Sequence, residues 1–76
     1  MLFRSLIEGS KKLDDINDEL GTDLDSEDYD SIGGLMIEAL DRLPGYGETV
    51  TLDNGITLTA RGIKGNRITK VLIKML

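Results

Sequence analysis

The sequence predicts a small α+β domain, and three observations carry that prediction. Apolar residues recur at helical spacing between residues 31 and 43, the period changes to alternation after Pro44, and a strand-like apolar stretch precedes both. At 76 residues the chain has room for a single domain, 1–76, and one modest core. The expected order is strand, helix, helix, strand, strand, strand, with the sheet packed against helix 31–43.

Each element has its own signal. "LFRSLIEG" (2–9) is mixed and apolar enough for a strand, and Gly9 ends it. Ser10 is placed to cap a short helix in which Leu13, Ile16 and Leu20 recur, and Gly21 is placed to terminate it. In the second helix Ile32, Leu35, Met36, Ala39, Leu40 and Leu43 follow the i, i+3, i+4, i+7 pattern, with Leu40 expected at the centre of the stripe and Pro44 as the stop. "PGYG" is turn material. Val50 and Leu52 alternate before Asp53-Asn54-Gly55, and Ile56, Leu58 and Ala60 alternate after it, so the Asn-Gly pair marks a hairpin. A second turn at Lys64-Gly65-Asn66 leads into "RITKVLIKML", whose Val71 and Ile73 are expected to face the core while Lys70, Leu72 and Lys74 share the other face.

Composition removes many functions. Without cysteine or histidine there is no disulfide framework, no Cys/His zinc site and no Cys-His or Ser-His nucleophile pair. No apolar run approaches the roughly 20 residues of a membrane span, and residues 1–20 lack the apolar centre of a signal peptide. The expectation is a cytoplasmic chain that does not insert into a membrane. The net charge of −5 is unevenly spread: every charged side chain in residues 14–30 is acidic, whereas after residue 56 all are basic. No aromatic side chain interleaves with those late cations, so nucleic acid is not an expected partner.

The acidic run raises three readings: metal site, helix cap or docking surface. Asp23, Asp25, Asp28 and Asp30 are hard oxygen donors suited to weak Ca²⁺ or Mg²⁺ binding. An EF-hand does not fit, because a loop starting at Asp23 puts Asp28 where glycine is needed and Gly34 where the bidentate glutamate is needed. The simpler reading is structural, with Asp30 or Ser31 capping the second helix and Asp28 favouring the positive end of its dipole. Gly33 and Gly34 lack a following Gly-Lys-Ser/Thr, so a phosphate loop is not supported; a close backbone approach to the first turn explains them better. Asp14 and Asp18 read as a solvated helix face, and no catalytic residue or required cofactor is assigned. Lys70, Leu72 and Lys74 are the candidate partner-binding residues, an apolar side chain framed by cations.

Taken together, "LIEGSKKLDDINDELGTDL", "DYDSIGGLMIEALDRLPGYGETV" and "GNRITKVLI" resemble the transporter-associated domain of the CorC/HlyC type over residues 6–74. The elements that carry the resemblance are Gly9 after the first strand, the acid-Tyr-acid-Ser entry to the second helix, the exit "RLPGYG" and the closing "RI" followed by "V" and "I". Thr57 and Ala60 depart from it, standing where bulkier residues are commoner. The resemblance implies a fold like a subdomain of certain FAD-binding proteins and a place at the C-terminus of a larger protein, behind paired CBS domains and a membrane domain. It implies a non-catalytic regulatory or interaction module in magnesium/cobalt efflux or related, haemolysin-like ion-transport proteins, on the cytoplasmic side of the membrane. Its expected partners are the CBS and membrane domains of the same parent protein; separately, the opposite charges of residues 14–30 and of the last strand permit a twofold contact with a second copy, each acidic segment meeting its partner's basic strand. The alternative is a free-standing small divalent-metal-binding or adaptor protein.

Overall fold

The computed structural model describes residues 3–53 and 55–75. The expected order is present: β1 (Phe3–Glu8), α1 (Leu13–Leu20), α2 (Ile32–Leu40), β2 (Thr49–Thr51), β3 (Thr57–Lys64) and β4 (Arg67–Met75). The strands form one antiparallel sheet in the order β1-β4-β3-β2, so the N-terminal strand pairs with the last strand. Both helices pack on one face of the sheet, and the core between them is built from Leu13, Ile16, Leu24, Ile32, Leu35, Met36, Leu58, Val71 and Ile73 with their neighbours.

Helix α1 starts at Leu13 behind an extended Lys12 that makes no side-chain cap. The expected cap at Ser10 is not used, because this stretch is held by the chain entering α2. Lys12 forms a bridge with Ser31, the Leu13 N–H donates to the Asp30 carbonyl at 2.8 Å, and the Ile32 N–H donates to the Lys11 carbonyl at 3.0 Å. Neighbouring backbone thus satisfies the first orphan donor of each helix. Gly21 closes the helix in the left-handed region, φ 68°, as expected.

Helix α2 is shorter than residues 31–43. Ser31 is its N-cap, accepting from the Gly34 N–H at 3.1 Å, but it ends at Leu40 because Asp41 turns left-handed at φ 59°. Aspartate tolerates that conformation better than most residues, so the helix stops before Pro44 has any part in it. The centre of the buried stripe moves with the boundary: Ile32 and Met36 are fully buried, whereas Leu40 is half-buried, Ala39 exposed and Leu43 outside the helix.

The β2–β3 hairpin carries the expected alternation, with Ile56, Leu58 and Ala60 buried; Asn54 lies outside the described residues. In the β3–β4 hairpin Lys64 faces Arg67 across Gly65-Asn66, and Gly65 supplies the positive φ, 64°, that the tight turn needs. Two compensating bulges follow. From Ala60↔Val71 the register steps to Gly62↔Lys70, leaving Arg61 extra on β3, and then to Ile63↔Ile68, leaving Thr69 extra on β4. Each bulge reverses the facing of its strand. Together they bring Ile63 and Ile68 onto the core side, where strict alternation from Val71 would put Ile68 outside.

Candidate interaction surface

The helices cover one face of the sheet and leave the other open. Cross-strand register arranges the open face in rows. Arg4, Lys74 and Thr57 stand side by side, then Leu6, Leu72 and Thr59, then Glu8 and Lys70. Thr51 and Thr49 extend the first two rows onto β2, the latter through a Thr49–Thr59 hydroxyl contact of 2.9 Å. Lys70, Leu72 and Lys74 therefore do share one face, as the alternation requires.

At its centre Leu72 is half-buried beside Leu6, which is 58% exposed. Glu8 reaches Lys70 at 3.8 Å, while Arg4 and Lys74 make no ion pair among the described residues. Two leucines thus sit within a rim of cations relieved by one carboxylate. Sequence spacing alone finds the β4 half of this surface. It misses Arg4 and Leu6, which join only through the non-local pairing of β1 with β4.

The acidic segment includes α1, whose Leu13 and Ile16 enter the core on the covered side of the sheet. Two polar side chains hold its loop. The Asn17 carboxamide accepts from the Leu24 N–H at 2.7 Å and donates to the Leu24 carbonyl at 2.9 Å. Glu38 on α2 accepts from the Ser26 hydroxyl and from the Asp28 N–H at 3.3 Å. With the loop so held, Asp23, Asp25, Asp28 and Asp30 are all exposed, and Asp30 stands 3.7 Å from Lys12. Among the described residues no group of three or more carboxylates is placed to hold a metal ion.

Gly33 and Gly34 have steric reasons of different kinds. A Cβ on Gly33 would meet the Gly9 carbonyl, a backbone approach as expected, whereas one on Gly34 would meet the Tyr29 ring at 2.6 Å. Gly9 itself lies against the Ile68 carbonyl, leaving no room for a side chain. These contacts form the floor of an open groove of about 510 Å³ beside Tyr29, Ile37, Arg67 and Lys70.

A protein-family model described as "Transporter associated domain" (CorC_HlyC) matches residues 4–76. The chain belongs to that family. The Escherichia coli K12 magnesium and cobalt efflux protein CorC is 35% identical over 63 residues, which is 83% of this chain and 21% of that protein. This transporter-associated domain thus spans about a fifth of that curated relative. Among solved structures, a CorC-associated region from Neisseria meningitidis MC58 superimposes with a TM-score of 0.86 at 33% identity, covering 96% of this chain and 89% of that one. The CorC_HlyC domain of a Xylella fastidiosa Temecula1 hemolysin, solved in complex with Mg²⁺ and Mn²⁺, gives a TM-score of 0.82 at 26% identity, covering 96% and 87%. The α+β architecture is accordingly that of the family. No helix of the described residues in this transporter-associated domain is long and apolar enough to cross a membrane.

Proposed function

We propose that this domain is a non-catalytic regulatory module of a magnesium/cobalt efflux-like protein, acting through protein contact on the cytoplasmic side of the membrane. The observation that carries the reading is the open sheet face, where Leu6 and Leu72 lie between Arg4, Lys70 and Lys74 while the helices occupy the other side. An apolar centre within a charged rim is the anatomy of a contact surface. Family membership supports the CBS pair and membrane domain of the parent protein as the surfaces it meets. The separated carboxylates of Asp23, Asp25, Asp28 and Asp30 attract Mg²⁺ or Ca²⁺ weakly, as counter-ions to a negative segment, with no fixed coordination.

Leu72→Glu in the intact parent tests the reading. It should change the regulation of ion flux, while the same substitution in the isolated domain leaves its circular-dichroism melt cooperative. A parent whose flux is unaltered would remove the face from the mechanism. A free-standing adaptor would instead keep its partner when expressed without any parent sequence.

A further inference from the structure

The sheet has an edge at β1, and among the described residues no strand pairs with its outer side. β1 is the terminal strand of the sheet and is six residues long without proline, the kind of edge that accepts another strand. The two exposed large apolar side chains within the strands, Phe3 and Leu6, are both on it. The opposite edge, β2, is only three residues long.

The direction of the backbone groups follows from one bond. The Gly9 N–H donates to the Thr69 carbonyl at 2.9 Å, continuing the β1–β4 register by one residue. In an antiparallel ladder the bonded residues alternate, so Phe3, Ser5 and Ile7 turn their amides toward β4 and Arg4, Leu6 and Glu8 turn theirs outward. The Glu8 carbonyl accepts from the Lys11 N–H at 3.0 Å. The N–H and C=O of Arg4 and Leu6 and the N–H of Glu8 have no such bond among the described residues.

We propose that β1 pairs with β1 of a second copy of this chain, antiparallel about a twofold axis through Leu6, making a continuous eight-stranded sheet. A twofold axis normal to the sheet keeps each face on its own side, so residues of equal facing must oppose one another. Centred on Leu6, the register sets Leu6 against Leu6 and Arg4 against Glu8 twice. Four backbone bonds form without disturbing Lys11: two between the Leu6 residues, and one from each Glu8 N–H to the opposite Arg4 carbonyl. On the open face the second row becomes Leu72, Leu6, Leu6, Leu72, an unbroken apolar strip. The first row gains a carboxylate beside Arg4, which within its own chain faces only the like charge of Lys74. Centring on Ser5 would instead place Arg4 against Leu6 and give it no carboxylate across the interface. The pairing uses the edge and leaves the face free, so it stands independently of the docking role proposed above.

The experiment is sedimentation equilibrium of the 76-residue chain up to millimolar concentration, with charge variants. Arg4→Glu alone and Glu8→Arg alone should each weaken self-association by about tenfold or more, since both cross-strand pairs become repulsive. Mixing the two variants should restore a dimer, because every pair in the heterodimer is again of opposite sign. Because the sequence has no cysteine, Leu6→Cys should give a disulfide-linked dimer under mild oxidation, and Ser5→Cys should not. Circular dichroism establishes that each variant is folded. A monomer at all concentrations, cross-linking through Ser5→Cys in preference to Leu6→Cys, or variants that fail to associate on mixing would overturn the pairing.

Discussion

Gly33 donates its N–H to the carbonyl of Gly9 at 2.9 Å, and a Cβ on Gly33 would stand only 2.9 Å from that same oxygen. The oxygen cannot retreat, because the Gly9 N–H is itself tied to Thr69 at 2.9 Å. The start of α2, the end of β1 and the bulge of β4 therefore meet backbone to backbone.

Gly33→Ala sets two effects against each other. Alanine gains about 1 kcal/mol in helix propensity. Overpacking against fixed backbone costs about 1–3 kcal/mol and should win. In a domain this small each kcal/mol lost lowers the melting temperature by about 4–8 °C. Gly45→Ala, with open space around its Cβ, should stay within about 0.5 kcal/mol of the parent. Differential scanning calorimetry of the pair decides the matter; a Gly33→Ala domain that melts higher would refute the close approach.

Met36, not Leu40, is the residue on which the helix layer rests. Met36→Ala removes a fully buried side chain and should cost about 2–5 kcal/mol. Leu40→Ala removes one that is half in solvent and should cost about 1 kcal/mol. Urea unfolding of both variants measures the order, and a larger loss at Leu40 would show the register of α2 to be wrong.

Acid should act through Glu48. The Arg42 guanidinium hydrogen-bonded to its carboxylate, together with the Gly45 N–H at 3.0 Å, holds its pKa down to about 2 from an ordinary 4.5. A depressed carboxylate stabilises the fold above its unfolded pKa and loses that contribution as pH falls through the folded value. The window is therefore about pH 4.5 down to about pH 2. The pair stands in solvent, so the effect is small and screened by salt. Glu48→Gln should melt slightly below the parent at neutral pH and match it below pH 2. A difference that persists unchanged at low pH would exclude the carboxylate as its source.

The order of elements and the facing of Val71 and Ile73 were legible in the sequence because they depend on local period alone. The end of α2 was not, since Leu43 keeps the helical spacing past an Asp41 whose left-handed turn has no apolar signature. The burial of Ile68 was hidden by the bulges, although Ile63 and Ile68 stand symmetrically about Gly65-Asn66. At the candidate surface, Lys70, Leu72 and Lys74 could be placed on one face from their alternation. Arg4 and Leu6 could not be added, because the pairing that delivers them spans nearly the whole chain.

The matched bulges of β3 and β4 also limit how the length of this hairpin can evolve. Loss of Arg61 or Thr69 alone would invert one strand relative to the other beyond that point, turning an isoleucine out to water. Loss of both would leave the pairing in phase. Gains and losses of residues in this hairpin should accordingly be tolerated in couples, one per strand.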